Sequence, residues 1–220
     1  MSHTDKNGRS NKDELKGYQG VPLAAWEHTF MKELEEIIGE SIPRYEEDPE
    51  LRSCYDYEDK NCYFHDLCDF GFVAYEGNLK KLSIIDKRIE FLPQSIGNLS
   101  ELVSLHLSRN SLKSLPGSIG KLENLKFLSV CYNDLTSLPE EIGQLHSLEN
   151  IWVMFDKLKD FPESLGNLEQ FFHISIIGNP KPFNLAKNLP DHIKKILKNA
   201  DCSIQDRRGC LHSSYLDEEK

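Results

Sequence analysis

Every 23 residues the same apolar side chains return. Leu79, Leu102, Leu125, Leu148 and Phe171 share one position of the period. Leu82, Leu105, Leu128, Ile151 and Ile174 share a second, and Ile84, Leu107, Val130, Val153 and Ile176 a third. The pairs Leu92-Pro93, Leu115-Pro116, Leu138-Pro139 and Phe161-Pro162 recur at the same interval. Ile96-Gly97, Ile119-Gly120, Ile142-Gly143 and Leu165-Gly166 follow them. A fixed period of this length leaves little choice of architecture. One unit is too short to bury its own apolar face, so successive units must stack and bury it against one another.

The unit reads L-x-x-L-x-L-x-x-N-x-L-x-x-L-P-x-x-I-G-x-L, and each part has a mechanical role. In L-x-L the apolar residues alternate with period two, which sends both to one face of a short strand. One such strand per unit, all running the same way, predicts a parallel sheet along the concave side. The proline cannot donate a ladder hydrogen bond and ends regular pairing. The I-G-x-L segment then returns along the convex side as a short helical or 3₁₀ turn. The class expected is α/β, a solenoid of about five 23-residue repeats with helical caps.

Asparagine recurs at Asn110, Asn133 and Asn179. An inward amide there can both donate to and accept from the backbone of adjacent turns. Lys87 and Asp156 stand at the same position in the first and fourth repeats. Lys87 is at the start of the stack and is expected to reach solvent. Asp156 accepts but, when ionised, cannot donate. It is expected to leave a carbonyl without its donor and to weaken the fourth repeat.

An open solenoid must cover its ends. Residues 72–75, a Glu76-Gly77-Asn78 turn and residues 79–84 read as a hairpin at the front. Upstream, 24–38 reads as an amphipathic helix with Trp26, Phe30, Leu34, Ile37 and Ile38 on one face. Packing on the solenoid or its cap is preferred for it over partner binding. At the back, Leu185, Leu189, Ile193, Ile196 and Leu197 recur at helical spacing. The chain thus divides into a polar segment without order (1–20), an N-terminal helix and capping segment (21–78), and repeats (79–183). A capping helix (184–202) and a tail without order (203–220) follow.

The net charge of −10 is unevenly spread. Residues 1–78 carry eighteen acidic and eight basic side chains, whereas 79–200 carry thirteen and fifteen. A chain with no basic stripe is not built to hold nucleic acid. The first twenty residues lack the apolar core of a secretory leader, and no apolar run is long enough to span a bilayer. A cytoplasmic protein with reduced cysteines is expected. Chemistry has few footholds. Cys54, Cys62, His65 and Cys68 could form a zinc set by ligand type, though their spacing fits no familiar two-pair module. Reduced cysteines in a capping segment are preferred, and neither metal nor cofactor is expected. A zinc-stabilised regulatory domain around these residues is kept as an alternative. Asp69-Phe70-Gly71 has no accompanying glycine-rich or catalytic loop, so it carries no kinase reading. No nucleophile has an assigned base, so an enzyme with its site in 21–78 is the least favoured reading.

The residues between the core leucines project onto the concave face. There the register gathers Phe127, Tyr132, Trp152, Met154 and Phe155, with His106, Arg109 and His173 as a polar rim. Aromatic side chains and methionine crowded on a sheet face are characteristic of a protein-binding site. The competing reading has the N-terminal helix or the tail folded over that face. Residues 79–179, through LPQSIGNLSELVSLHLSRNSLKSLPGSIGKLENLKFL, resemble leucine-rich-repeat proteins of the plant intracellular Ras-group and Ras-suppressor types. That resemblance implies a leucine-rich-repeat horseshoe. It also implies a non-enzymatic adaptor or scaffold whose concave face grips another protein, such as a small GTPase or signalling protein.

Overall fold

The computed structural model describes residues 15–44, 70–170, 173–176, 178–180 and 190–199. The chain opens with two short antiparallel strands, β1 (Leu15–Tyr18) and β2 (Val21–Ala24), followed by helix α1 (Ala25–Ile38). β3 (Gly71–Tyr75) and β4 (Asn78–Ser83) form the expected hairpin. Glu76 and Gly77, both at positive φ, make its two-residue turn. From β4 onward every strand is parallel: β5 (Ser104–His106), β6 (Phe127–Ser129), β7 (Asn150–Trp152) and β8 (His173–Ser175). The sheet order is β3-β4-β5-β6-β7-β8. A C-terminal helix, α2 (Asp191–Asn199), packs against β8.

Register follows the period. Leu82, Leu105, Leu128, Ile151 and Ile174 are mutually paired across the parallel strands, and all are fully buried. Each L-P pair ends its extended segment, and the proline's fixed φ leads into a 3₁₀ turn. These turns span Gln94–Asn98, Gly117–Lys121, Glu140–Gln144 and Glu163–Asn167. They stack on one another along the side opposite the sheet. The recurring glycine is what lets them approach. A Cβ on Gly97 would lie 2.7 Å from Ser118 O, on Gly120 2.5 Å from Glu141 O, and on Gly143 2.3 Å from Ser164 O. No side chain fits there without moving the next turn.

The amide position behaves as a ladder. Asn133 Nδ2 donates to Leu107 O (3.0 Å) and Val130 O (2.8 Å), while its Oδ1 accepts from Leu112 N (3.0 Å). Asn110 and Asn179 repeat the pattern. Lys87 does not simply reach solvent. Its Nζ pairs with Glu40 (2.7 Å) and lies 3.8 Å from the Phe70 ring centroid, tying the first repeat to the segment after α1. Asp156 is buried. Its Oδ1 accepts from Asn133 N and Leu135 N (3.2 Å each), and its Oδ2 has no hydrogen-bond partner. The two carbonyls an asparagine would serve there, Val130 O and Val153 O, keep donors from Asn133 and Asn179. The defect therefore falls on the carboxyl oxygen rather than on a carbonyl.

The N-terminal cap differs from the sequence reading in two respects. β1 lies inside the stretch expected to lack order through residue 20. Tyr18 supplies the reason: it is buried against Phe72, and its hydroxyl donates to Glu35 Oε1 (2.6 Å). Helix α1 buries Glu27, Phe30, Met31 and Leu34, so its inner face is centred away from Trp26. Glu27 belongs inside because its Oε2 accepts from Leu79 N (3.0 Å) on β4. The helix packs on β1, β2 and the first 3₁₀ turn, where Ser95 Oγ donates to Glu33. It thus closes the end of the stack and does not lie over the sheet face. Cys54, Cys62, His65 and Cys68 lie outside the described residues, as does the tail 203–220. So do 184–189 of the segment expected to form the C-terminal helix.

Candidate functional site

The sheet has one face on the core and one turned away from it. Strand alternation assigns the second face, because Ser83, His106, Ser129, Trp152 and Ser175 stand between the buried leucines of successive positions. A parallel row beside them holds Lys81, Ser104, Phe127, Asn150 and His173. Past the strand ends, each chain turns through a residue at positive φ: Asp86, Arg109, Tyr132, Phe155 and Gly178. This left-handed turn is uncommon for residues with a Cβ. It comes at the same point of each repeat and throws the Arg109, Tyr132 and Phe155 side chains into a column.

Two ring assemblies result. In one, His106 and Phe127 lie 4.9 Å apart between centroids at 32°, and Trp152 meets Phe127 edge-on at 4.9 Å and 79°. In the other, Tyr132 and Phe155 stack at 4.6 Å and 14°, with the Arg109 guanidinium 5.4 Å from the Tyr132 centroid. Tyr132 and Phe155 are each 38% exposed, among the largest exposures of apolar side chains in the described residues. Met154 joins the assemblies through its backbone, accepting from Tyr132 N at 2.8 Å.

The structure brings six of the eight residues singled out in the sequence into these assemblies, His106, Arg109, Phe127, Tyr132, Trp152 and Phe155, and ties Met154 to them through its backbone. The eighth, His173, lies on the next strand in the row that holds Phe127 and Asn150. His106 is not a rim residue. Burial, aided by the nearby Lys81 ammonium, pushes its pKa down to about 4, so the imidazole is neutral at neutral pH. Phe127 is buried rather than exposed. Burial also lowers the His173 pKa and raises that of the Cys131 thiol.

The sequence places Gly178 in the column of Arg109, Tyr132 and Phe155 but does not reveal its part there. A Cβ there would sit 2.3 Å from Phe155 Cδ1, so the absence of a side chain makes the space into which the Phe155 ring packs. The signal was present in the register, as the one glycine in a column of charged and aromatic residues. Among the described residues, no group of three or more His, Cys, Asp or Glu side chains could hold a metal ion. None of the described helices is long and apolar enough to cross a membrane. The face offers aromatic rings, imidazoles, a guanidinium, an ammonium and hydroxyls.

A parallel sheet built from 23-residue units, backed by stacked 3₁₀ turns and an inward asparagine ladder, defines a leucine-rich-repeat solenoid. The chain belongs to that family: the family described as leucine-rich repeat region matches residues 55–210. Such repeats are generally protein-interaction modules. A solved leucine-rich-repeat protein of Leptospira interrogans is 33% identical, with a TM-score of 0.46; the match covers 53% of this chain and 29% of that one. This chain therefore spans under a third of that structure. Among curated proteins none matches the chain.

Proposed function

We propose that this protein is a non-enzymatic adaptor or scaffold that grips a partner protein on the concave face of a horseshoe of about five repeats. The observation that carries this reading is the stacked Tyr132–Phe155 pair, exposed beside Trp152 and bracketed by Arg109. Tyrosine, tryptophan and arginine are the side chains that most often dominate binding energy at protein interfaces. Gly178 and the repeated left-handed turn hold the stack without help from a partner, which lowers the entropy lost on binding. His106, Phe127 and Met154 underlie the same patch, and His173 lies at its far margin. The resemblance of 79–179 to Ras-group and Ras-suppressor repeats makes a small GTPase or another cytoplasmic signalling protein the first partner to test.

The test is crosslinked capture from native lysate, comparing the natural protein with a Trp152→Ala, Phe155→Ala double variant shown by circular dichroism to fold normally. Partners captured by the first should be lost with the second. Two anchors of this kind contribute at least about 2 kcal/mol, which weakens binding roughly thirtyfold. A partner set that is unchanged by the double substitution would contradict the assignment.

A further inference from the structure

The column of left-handed turns sets one strong cation beside the exposed rings. Asp86, Arg109, Tyr132 and Phe155 stand at the same point of successive repeats, with φ between 55° and 58°. Three of them follow one another at close to the spacing of neighbouring strands. The Phe155 and Tyr132 centroids are 4.6 Å apart, and the Arg109 guanidinium lies over the Tyr132 ring, 5.4 Å from its centroid. The series is closed at one end, where the Phe155 ring fills the space that a Cβ on Gly178 would need. It is open at the other. Arg109 is exposed, and among the described residues no hydrogen bond or ion pair reaches its guanidinium. Asp86, next in the column, is exposed too and is not paired with it.

A guanidinium lying over a ring has one face engaged and its edge of N–H donors free. That edge matches the two oxygens of a carboxylate in a pair of parallel hydrogen bonds. The ring also keeps water from one side of the cation, so an ion pair formed there is screened less than one in open solvent. We infer that Arg109 receives a side-chain carboxylate, Asp or Glu, of the partner protein, and that an apolar side chain flanking that acid rests on Tyr132 and Phe155. The inference rests on the assignment of this face as the partner site. The surrounding charges select a carboxylate over a phosphate monoester, which carries close to two charges and is met by clusters of arginine. Arg109 is a single arginine with the exposed Asp86 next along the column, and Lys81 stands in the opposite outer row. One cation beside one exposed acid suits a ligand of one negative charge.

The test titrates the ¹⁵N-labelled full chain with end-blocked tripeptides, Trp-Glu-Trp and Trp-Gln-Trp, which differ in charge at the middle residue alone. Binding is followed on the Tyr132 and Phe155 backbone amides and on the Arg109 Nε–Hε resonance. The Glu peptide should shift all three saturably and bind about tenfold more tightly than the Gln peptide. Arg109→Gln should erase that preference. Arg109→Lys should restore only part of it, because an ammonium keeps the charge and lacks the planar fork. Arg88→Gln, which removes an exposed arginine outside the column, should leave it unchanged. Equal affinity for the two peptides, tighter binding of Trp-phosphoserine-Trp, or a preference that survives Arg109→Gln would each overturn the assignment. If neither peptide binds while partner capture still depends on Trp152 and Phe155, the carboxylate assignment is wrong and the partner face stands. If capture is independent of those two residues as well, the reading beneath it falls too.

Discussion

At residue scale the molecule departs most from its own rule at Asp156. The ladder position asks for a side chain that accepts on one side and donates on the other. Asp156 fulfils the first through Asn133 N and Leu135 N, and leaves Oδ2 buried without a partner. Desolvation is the largest influence on the group and raises its pKa to about 7, against the lowering effect of its two backbone donors. The native state therefore holds a proton that the unfolded chain has released above about pH 4. Its contribution to stability is complete below that pH and is lost as pH rises through about 7. His106 runs the other way, since its folded pKa is depressed: its contribution is present above about pH 6.5 and is lost as pH falls through about 4. Comparing the natural protein with Asp156→Asn isolates the first group. The amide can donate where the carboxylate cannot, so the variant should be more stable by about 1–3 kcal/mol at pH 8. That advantage should shrink toward pH 5. Thermal melts at the two pH values check both the sign and the trend, and a variant no more stable at pH 8 would contradict this account of Oδ2.

Elements are where the sequence is most legible, and where its limits show. The 23-residue period yields the strands, their common direction and their register, because each turn of a solenoid meets the same environment and so needs the same residues. The period alone is enough to align Leu105, Leu128 and Ile151. What the period cannot reach is anything set by a contact outside it. Glu27 is charged and adds nothing to the apolar pattern of its helix, yet it is buried and accepts from a strand residue 52 positions away. His106 reads as rim polar, yet Phe127 from the next repeat covers it. The aromatic patch itself is legible; its division into two ring assemblies is not, because that depends on the left-handed turn after each strand.

Two predictions belong to the elements. Gly143→Ala should destabilise the protein by roughly 1–3 kcal/mol in denaturant unfolding, since the added carbon would meet the Ser164 backbone and force the stacked 3₁₀ turns apart. Glu27→Gln should be tolerated, because its carbonyl oxygen can still accept from Leu79 N. Glu27→Leu should cost about 1–3 kcal/mol by leaving that amide buried and unpaired. Equal stabilities for the Gln and Leu variants would remove Glu27 as the link between helix and solenoid.

The whole molecule divides its labour by surface. The stacked 3₁₀ turns are pressed together too closely to admit side chains at their glycines, so that side is concerned with packing. The front is closed by α1 and the β3–β4 hairpin, and α2 lies against the last strand. The sheet face is left to carry the exposed Tyr132 and Phe155 rings and the Arg109 guanidinium. Charge follows the same division: the acidic excess lies in the first 78 residues, while the repeat region is close to neutral. Binding on such a face depends on shape and ring contact more than on long-range attraction, so partner affinity should fall only modestly with salt.

The central claim is that the partner meets the sheet face through the rings around Trp152 and Phe155. Site-specific photocrosslinking tests it most directly. A photoreactive amino acid is placed either at position 154, beside Phe155 in sequence, or at position 121, on a 3₁₀ turn. Both proteins are then irradiated in native lysate. The account predicts adducts to the same partner from position 154 and none from position 121. Adducts from position 121 with none from 154 would place the partner on the side of the 3₁₀ turns and contradict it.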